Sequence, residues 1–406
     1  MTLGNSGGTS IVKRVNTGRV LAELRRRDAP VRIIEIAEAT GLARPTVAQI
    51  VDELIASGWL HVHEHLETVG RPAIRVSLNV RRAASLGLDV GPHRIIAQVR
   101  DGSGALLGGA DLRHAVRDGS RLLELALKVV AEALESAGTA PADIAAACVA
   151  SIGVVDETTG RVHVIREIDG WEQVDIAAEF GAALGCPVRV DNDANLAARA
   201  MLSLDQTPAS FMTIQWGERI GAGLVLDHRV FRGANSGAGE IGSLPVRDPW
   251  AAEWASLEQV IGSKRIGEVV HLFAARDPDG SFAAGVDRAD PTEYVFRRAA
   301  AGDRTAEFII DEIATVMIGA IAPIALALDL SRIFITGGIA RGGEVLTDAL
   351  ERALRGKTLV PIEVGLSPFA EDTVVRGATI AAVDAAWDRI LTQELGAVTI
   401  QAVASA

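Results

Sequence analysis

Three side chains along Arg44-Pro45-Thr46-Val47-Ala48-Gln49 can do directional chemistry in a nucleic-acid groove. A guanidinium can donate two hydrogen bonds to a guanine edge, a carboxamide can pair with adenine, and a threonine can serve a phosphate or a thymine methyl. Arg44, Thr46 and Gln49 are therefore candidates for DNA contact, with Pro45 at the start of the same segment. Gly70-Arg71-Pro72 presents a further arginine from a short rigid turn, a shape suited to a narrow, electronegative minor groove. Other reactive types carry less. His61, His63 and His65 alternate along one face, but without a carboxylate or thiol at suitable spacing they read as a solvated strand rather than a metal site. Cys148 and Cys186 sit in apolar or strand-like surroundings and read as buried free thiols.

The elements that position these residues follow from local pattern. An amphipathic helix is expected over residues 16–27, closed by Asp28-Ala29-Pro30, and a second over residues 33–39 that stops at Thr40-Gly41. Glycine there permits the sharp turn between two crossing helices. The third helix spans residues 44–57, with Pro45 in its first turn and Val47, Ile50, Val51 and Leu54 at core-facing spacing. That is a helix-turn-helix, whose last helix faces base edges with its N-terminal residues. Alternating residues 59–66 and 73–78 read as the two strands of a wing, so Arg71 and Pro72 fall at its tip.

Charge supports this division. The 406 residues carry a net charge of −12, yet residues 1–82 hold 12 Lys/Arg against 8 Asp/Glu. The basic head attracts a phosphate backbone that the acidic remainder repels, which orients an encounter. No apolar run approaches the roughly 20 residues of a membrane span and the first residues do not resemble a secretion signal, so no membrane partner and a cytoplasmic location are expected.

From Ala84 onward strands alternate with helices. Residues 85–91 and 94–99 form a hairpin-like pair, residues 122–136 a long helix and residues 144–155 a buried strand; further strands are read at residues 211–214 and 332–336, the last running into Gly337-Gly338. Such α/β units with glycine turns at strand ends predict two lobes with a cleft between them.

These residues resemble the ROK family of sugar kinases and sugar-responsive repressors, whose lobes have the actin-like ATPase fold. The resemblance spans nearly the whole chain. Thr40-Gly41-Leu42, Arg44-Pro45-Thr46-Val47 and Gly70-Arg71-Pro72 are similar to the winged head and linker of its repressor branch. Asp191-Asn192-Asp193-Ala194-Asn195, Gly237-Ala238-Gly239-Glu240-Ile241-Gly242 and Gly337-Gly338-Ile339 match body segments in order and spacing. The implied organisation is an α/β protein with a winged helix-turn-helix and linker over residues 1–82, a first lobe over 83–198 completed by the C-terminal helix 376–406, and a second lobe over 199–375.

The resemblance lets the chemistry be tested residue by residue. Asp193 matches the kinase general base. The phosphate loops do not match: where the kinases carry Asp-x-Gly-Gly-Thr, Pro92 removes an N–H and His93 replaces the threonine. Where the family has Gly-Thr-Gly, this chain has Gly217-Glu218-Arg219, which sets a carboxylate against phosphate oxygens, although Arg219 could offset it by pairing with it. On the sugar side, Asn192, Asp193, Glu240 and Glu258 match residues that contact hydroxyls, while Ser243 replaces a histidine and Glu167 stands near an expected asparagine. The family's zinc ligands are missing between Ser243 and Glu258, so Trp250 or Trp254 is expected to order that loop by packing; either could also stack on a sugar.

The expectation is a DNA-binding regulator, most simply a repressor of carbohydrate-uptake or catabolic genes. It would bind a sugar or sugar derivative between its lobes and double-stranded operator DNA through a homodimer or homotetramer, with no catalysis, metal or cofactor. The alternatives are a response to a phosphosugar or other metabolite, an active sugar kinase with a DNA-binding head, and a regulator whose pocket is vestigial.

Overall fold

The computed structural model describes residues 6–63, 74–163, 168–286 and 290–395. The head contains helix α1 (Ser6–Arg25), strand β1 (Val31–Arg32), helices α2 (Ile33–Thr40) and α3 (Arg44–Ala56), and strands β2 (Leu60–His63) and β3 (Arg75–Leu78). Gly41 turns the chain between α2 and α3 in the left-handed region, at φ 68°. Helix α1 starts ten residues before the sequence pattern places it, because residues 6–15 show no apolar periodicity; Lys13 on this extension pairs with Glu53 of α3 at 2.7 Å. Strand β3 pairs with β2 and also with the two-residue β1, too short for alternation to reveal.

The first lobe opens with an antiparallel meander, β4 (Ser85–Val90), β5 (Arg94–Arg100) and β6 (Leu106–Arg113). Helix α4 (Gly119–Ala137) leads to β7 (Ala146–Ser151), a short hairpin β8 (Val154–Val155) and β9 (Val162–His163), helix α5 (Ile176–Leu184), β10 (Val188–Asn192) and helix α6 (Asp193–Leu202). Strands β7 and β10 extend the sheet in parallel, giving the order β10-β7-β4-β5-β6. The single strand expected over residues 144–155 is thus broken after Ser151, whose hydroxyl accepts from Trp171 Nε1 at 2.9 Å.

The second lobe repeats the plan. Its meander is β11 (Phe211–Trp216), β12 (Ile220–Leu226) and β13 (Arg229–Phe231), followed by the hairpin β14 (Pro245–Arg247) and β15 (Trp254–Ser256) and by helices α7 (Leu257–Ile261), α8 (Ser263–Arg276), α9 (Pro291–Ala300) and α10 (Arg304–Ala327). Strand β16 (Arg332–Thr336), helix α11 (Gly343–Leu354) and strand β17 (Glu363–Leu366) complete a sheet of order β13-β12-β11-β16-β17. By length and composition alone α10 could cross a membrane, but its Ile309, Ile313, Met317 and Ile321 are buried in this lobe's core.

The last described helix, α12 (Thr373–Leu395), covers β4 and β7 of the first sheet and crosses α6, which lies on β11 and β12 of the second. These contacts demand glycine. A Cβ on Gly377 would meet Leu196 O of α6 at 1.8 Å, and one on Gly223 of β12 would meet Ala194 O at 2.2 Å. Further along α12, Val383, Trp387 and Ile390 leave the body and join the head core formed by Val20, Leu21, Leu24, Val47 and Ile50.

Candidate effector and DNA-binding sites

Apolar spacing on α3 buries Val47, Ile50 and Val51 and turns Arg44, Pro45 and Gln49 to solvent, with Thr46 half-buried. The first turn has no side-chain cap. Gln49 Nε2 donates to Glu53 Oε1 at 3.3 Å, a weak contact on the helix surface that an adenine edge can replace. Arg71 and Pro72 lie outside the described residues, as does Glu167.

In the body, the junction of β10 and α6 sets two predicted residues side by side but gives them different work. Asn192 is the N-cap: its Oδ1 accepts from Asn195 N at 3.1 Å and its Nδ2 donates to Gly153 O at 3.0 Å. Both ends of that amide are therefore engaged in holding the strand end. Asp193 opens the helix, and its carboxylate accepts from its neighbour Ala194 N at 2.8 Å. Burial and the nearby Glu240 push its pKa up to about 6, against the opposing pull of Arg219. Asp89, at the end of β4, is raised further, to about 8, by burial and by Asp193.

Across the cleft, Glu240 precedes the one-turn segment Ile241–Ser243, which ends at the exposed Ser243. Burial and Glu258 raise the Glu240 carboxyl above the usual range. Arg219 Nε pairs with Glu258 Oε2 at 3.2 Å. Asp193, Glu240 and Glu258 thus gather around the Arg219 guanidinium, with Asp89 beside Asp193, an acceptor-rich site that can bridge adjacent hydroxyls.

The other side of the cleft is a cavity of about 1010 Å³ lined in part by Pro92, His93, Glu218, Lys264, Gly338 and Arg341. The two loops that depart from phosphate-binding sequence meet across it. His93 Nε2, on the β4–β5 loop, is 2.7 Å from Glu218 Oε2, on the β11–β12 loop. Glu218 therefore takes His93 as its partner, whereas the sequence suggested Arg219, which is engaged by Glu258. Beside this bridge, Arg94 of β5 pairs with Asp111 and, at 3.0 Å, with Glu371; Glu371 pairs in turn with Arg341, so a second chain of charges links the lobes.

In the loop that lacks zinc ligands, a buried carboxylate gathers the turn and Trp250 packs, partly buried, against the second lobe's core as expected. Buried Asp248 accepts from Trp250 N at 2.7 Å and Ala251 N at 3.1 Å and pairs with Arg265 at 3.1 Å, while Trp254 is 73% exposed.

A model of the ROK family matches residues 85–384, and one of the IclR helix-turn-helix domain matches residues 15–64. The chain belongs to the ROK family. It is 24% identical over 370 residues to the DNA-binding transcriptional dual regulator NagC of Escherichia coli K12, covering 89% of each chain. Among solved structures, a ROK family transcriptional regulator homologous to the E. coli MLC protein superposes with a TM-score of 0.72 at 23% identity, over 95% of this chain and 99% of that one. A ROK glucokinase from Streptomyces griseus, solved with glucose and AMPPNP, gives 0.65 at 22% identity over 74% and 99%. The ROK body and the IclR-type head are the two-lobed actin-like fold and the DNA-binding fold that the motifs imply.

Sequence reasoning did not foresee the places of two residues of this ROK cleft. Asp89 belongs to the carboxylate cluster through its place at the end of β4, and Arg219 faces Glu258. Both were visible as charged residues in the altered loops, but not whom they would face. The complementarity of His93 and Glu218, 125 residues apart, was the one available signal for the bridge.

Proposed function

We propose that this protein is a sugar-responsive transcriptional regulator, most simply a repressor of carbohydrate-uptake or catabolic genes, and that its cleft binds ligand without phosphorylating it. The observation that carries this reading is the division within the cleft: the carboxylates Asp193, Glu240 and Glu258 are gathered around Arg219, while the loops that depart from phosphate-binding sequence are tied to each other through His93 and Glu218. Transferring a phosphoryl group needs amides and cations around the phosphates, and a carboxylate there opposes it. NagC is a transcriptional regulator of similar length, which supports the same role here. Two copies would present two heads to a pseudo-palindromic operator, and ligand would act by preferring one lobe arrangement.

A neutral sugar fits better than a phosphosugar, because among the described residues the carboxylates gathered there outnumber the guanidinium of Arg219. The test is a thermal-shift screen of hexoses, pentoses, amino sugars and their phosphates, each with and without Mg-ATP. A ligand at 100 times its Kd adds about 2.7 kcal/mol. Stabilisation by a neutral sugar without ATP turnover supports the reading; ATP turnover abolished by Asp193→Asn would make the protein a kinase. No shift with any sugar would make the pocket vestigial.

A further inference from the structure

We infer that Asp384 is the joint through which the cleft and the DNA-reading head influence one another. The inference rests on the proposed reading of the cleft as an effector site and adds the route of coupling. Helix α6 begins in the cleft at Asp193 and presents Arg199 less than two turns later, whose Nη2 lies 2.7 Å from Asp384 Oδ2 on α12. The other oxygen of the same carboxylate accepts from Nη2 of Arg25, the last residue of α1, at 3.4 Å. Among the described residues, neither arginine has another carboxylate within ion-pairing distance. One anion is therefore shared by a cation on the cleft helix and a cation on the head.

The surroundings make this junction sensitive to lobe angle. Helix α6 packs on the second lobe's β11 and β12, and α12 packs on the first lobe's β4 and β7. Helix α6 continues β10 of the first sheet, so a rotation of the lobes that carries it with the second sheet shifts it against α12, and Arg199–Asp384 sits on that contact. Arg199 Nε is buried without a hydrogen-bond partner, so its guanidinium has little freedom to follow by re-pairing elsewhere. On the head side, Arg25 lies 5.2 Å from the ring centre of Trp387, one turn beyond Asp384. Trp387 is fully buried, donates Nε1 to Gly102 O at 2.8 Å and packs against Trp59. A shift of the carboxylate toward Arg199 weakens its hold on Arg25, and the reverse also holds, which is the reciprocity that coupling requires.

Hydrogen exchange on the full chain tests this without a ligand. Arg25→Gln, on the head, frees the carboxylate for Arg199 and should slow amide exchange in α6 about two- to fivefold, and Arg199→Gln should do the same in the last turn of α1. The double variant, which leaves Asp384 neither arginine, should lose this protection in both places. Changes confined to the neighbourhood of each substitution would overturn the inference. A second measurement uses the sugar that most raises the melting temperature and a duplex selected by the wild-type protein from a random-sequence library. Asp384→Asn should bind each alone within twofold of wild type, while the factor by which sugar changes duplex affinity falls to near one. An unchanged factor would also overturn it. If no sugar binds, the effector reading fails, and the exchange experiment still decides whether Asp384 joins the two helices.

Discussion

Replacing Asp89 by asparagine should make this protein more stable, and increasingly so as the pH rises. The Asp89 carboxyl is raised from 3.8 to about 8 by burial and by the proximity of Asp193. A folded-state pKa above the unfolded value means that the stability associated with this group is full below about pH 4. It is lost progressively as the pH climbs from about 4 to about 8 and the buried group is forced to ionise. Each pKa unit is worth about 1.4 kcal/mol, so the whole shift expressed at pH 8 would amount to roughly 5 kcal/mol. Because Asp193 shares the same charge repulsion, and ionisation of either one is coupled to the other, a single substitution should recover about half, or roughly 2 to 3 kcal/mol. Asparagine preserves the shape and cannot ionise. Denaturant unfolding of wild type and Asp89→Asn at pH 5, 6.5 and 8 would measure the difference directly. A stabilisation that grows across this series is expected, and equal stability at all three values would refute the burial and repulsion assigned to the pair. Since a polyol can donate hydrogen bonds to the ionised carboxylates, bound ligand should also shrink the difference at pH 8.

Three further substitutions probe other parts of the molecule. Arg44→Ala should cost about 1 to 3 kcal/mol of operator affinity and relax base preference at one position per half-site; competition binding with a randomised duplex reads this, and uniform weakening on all sequences would reassign Arg44 to phosphate. Trp387→Ala empties a fully buried aromatic site between body and head and should cost about 3 to 5 kcal/mol in denaturant unfolding; a loss below about 1 kcal/mol would show that the head core closes without α12. Asp248→Ala leaves Arg265 and two backbone amides without their shared acceptor and should cost about 2 to 4 kcal/mol, seen as a lower melting temperature and faster proteolysis at residues 247–254. An unchanged melting temperature would mean that packing, not this carboxylate, orders the loop.

What the sequence conveyed was whatever is local. The helix-turn-helix could be read because its periodicity and the Gly41 turn are contained within 25 residues, and β16 has the bounds its apolar run suggested. The cleft was legible as a set of residue types, since carboxylates and spoiled phosphate loops are chemical facts before they are structural ones. Pairings were not. Asn192 serves as a cap because of where β10 ends, Glu218 reaches His93 because of how the lobes face each other, and Asp248 occupies the centre of a turn whose tryptophans looked more prominent. The largest omission was Trp387: nothing near it in sequence announces that a helix closing one lobe also fills the core of a domain some 330 residues earlier.

That last contact has a consequence for how the protein is made. Val20, Leu21 and Val47 emerge early from the ribosome, but the apolar surface they present is not fully covered until Val383, Trp387 and Ile390 have been synthesised. The first sheet waits for the same helix, since α12 covers β4 and β7. Domains usually fold in the order in which they are translated. Here the head can form its helices early yet remains loosely closed until α12 arrives. Chains interrupted before residue 383 would carry the helix-turn-helix on an incomplete core, so that a finished head requires a finished body.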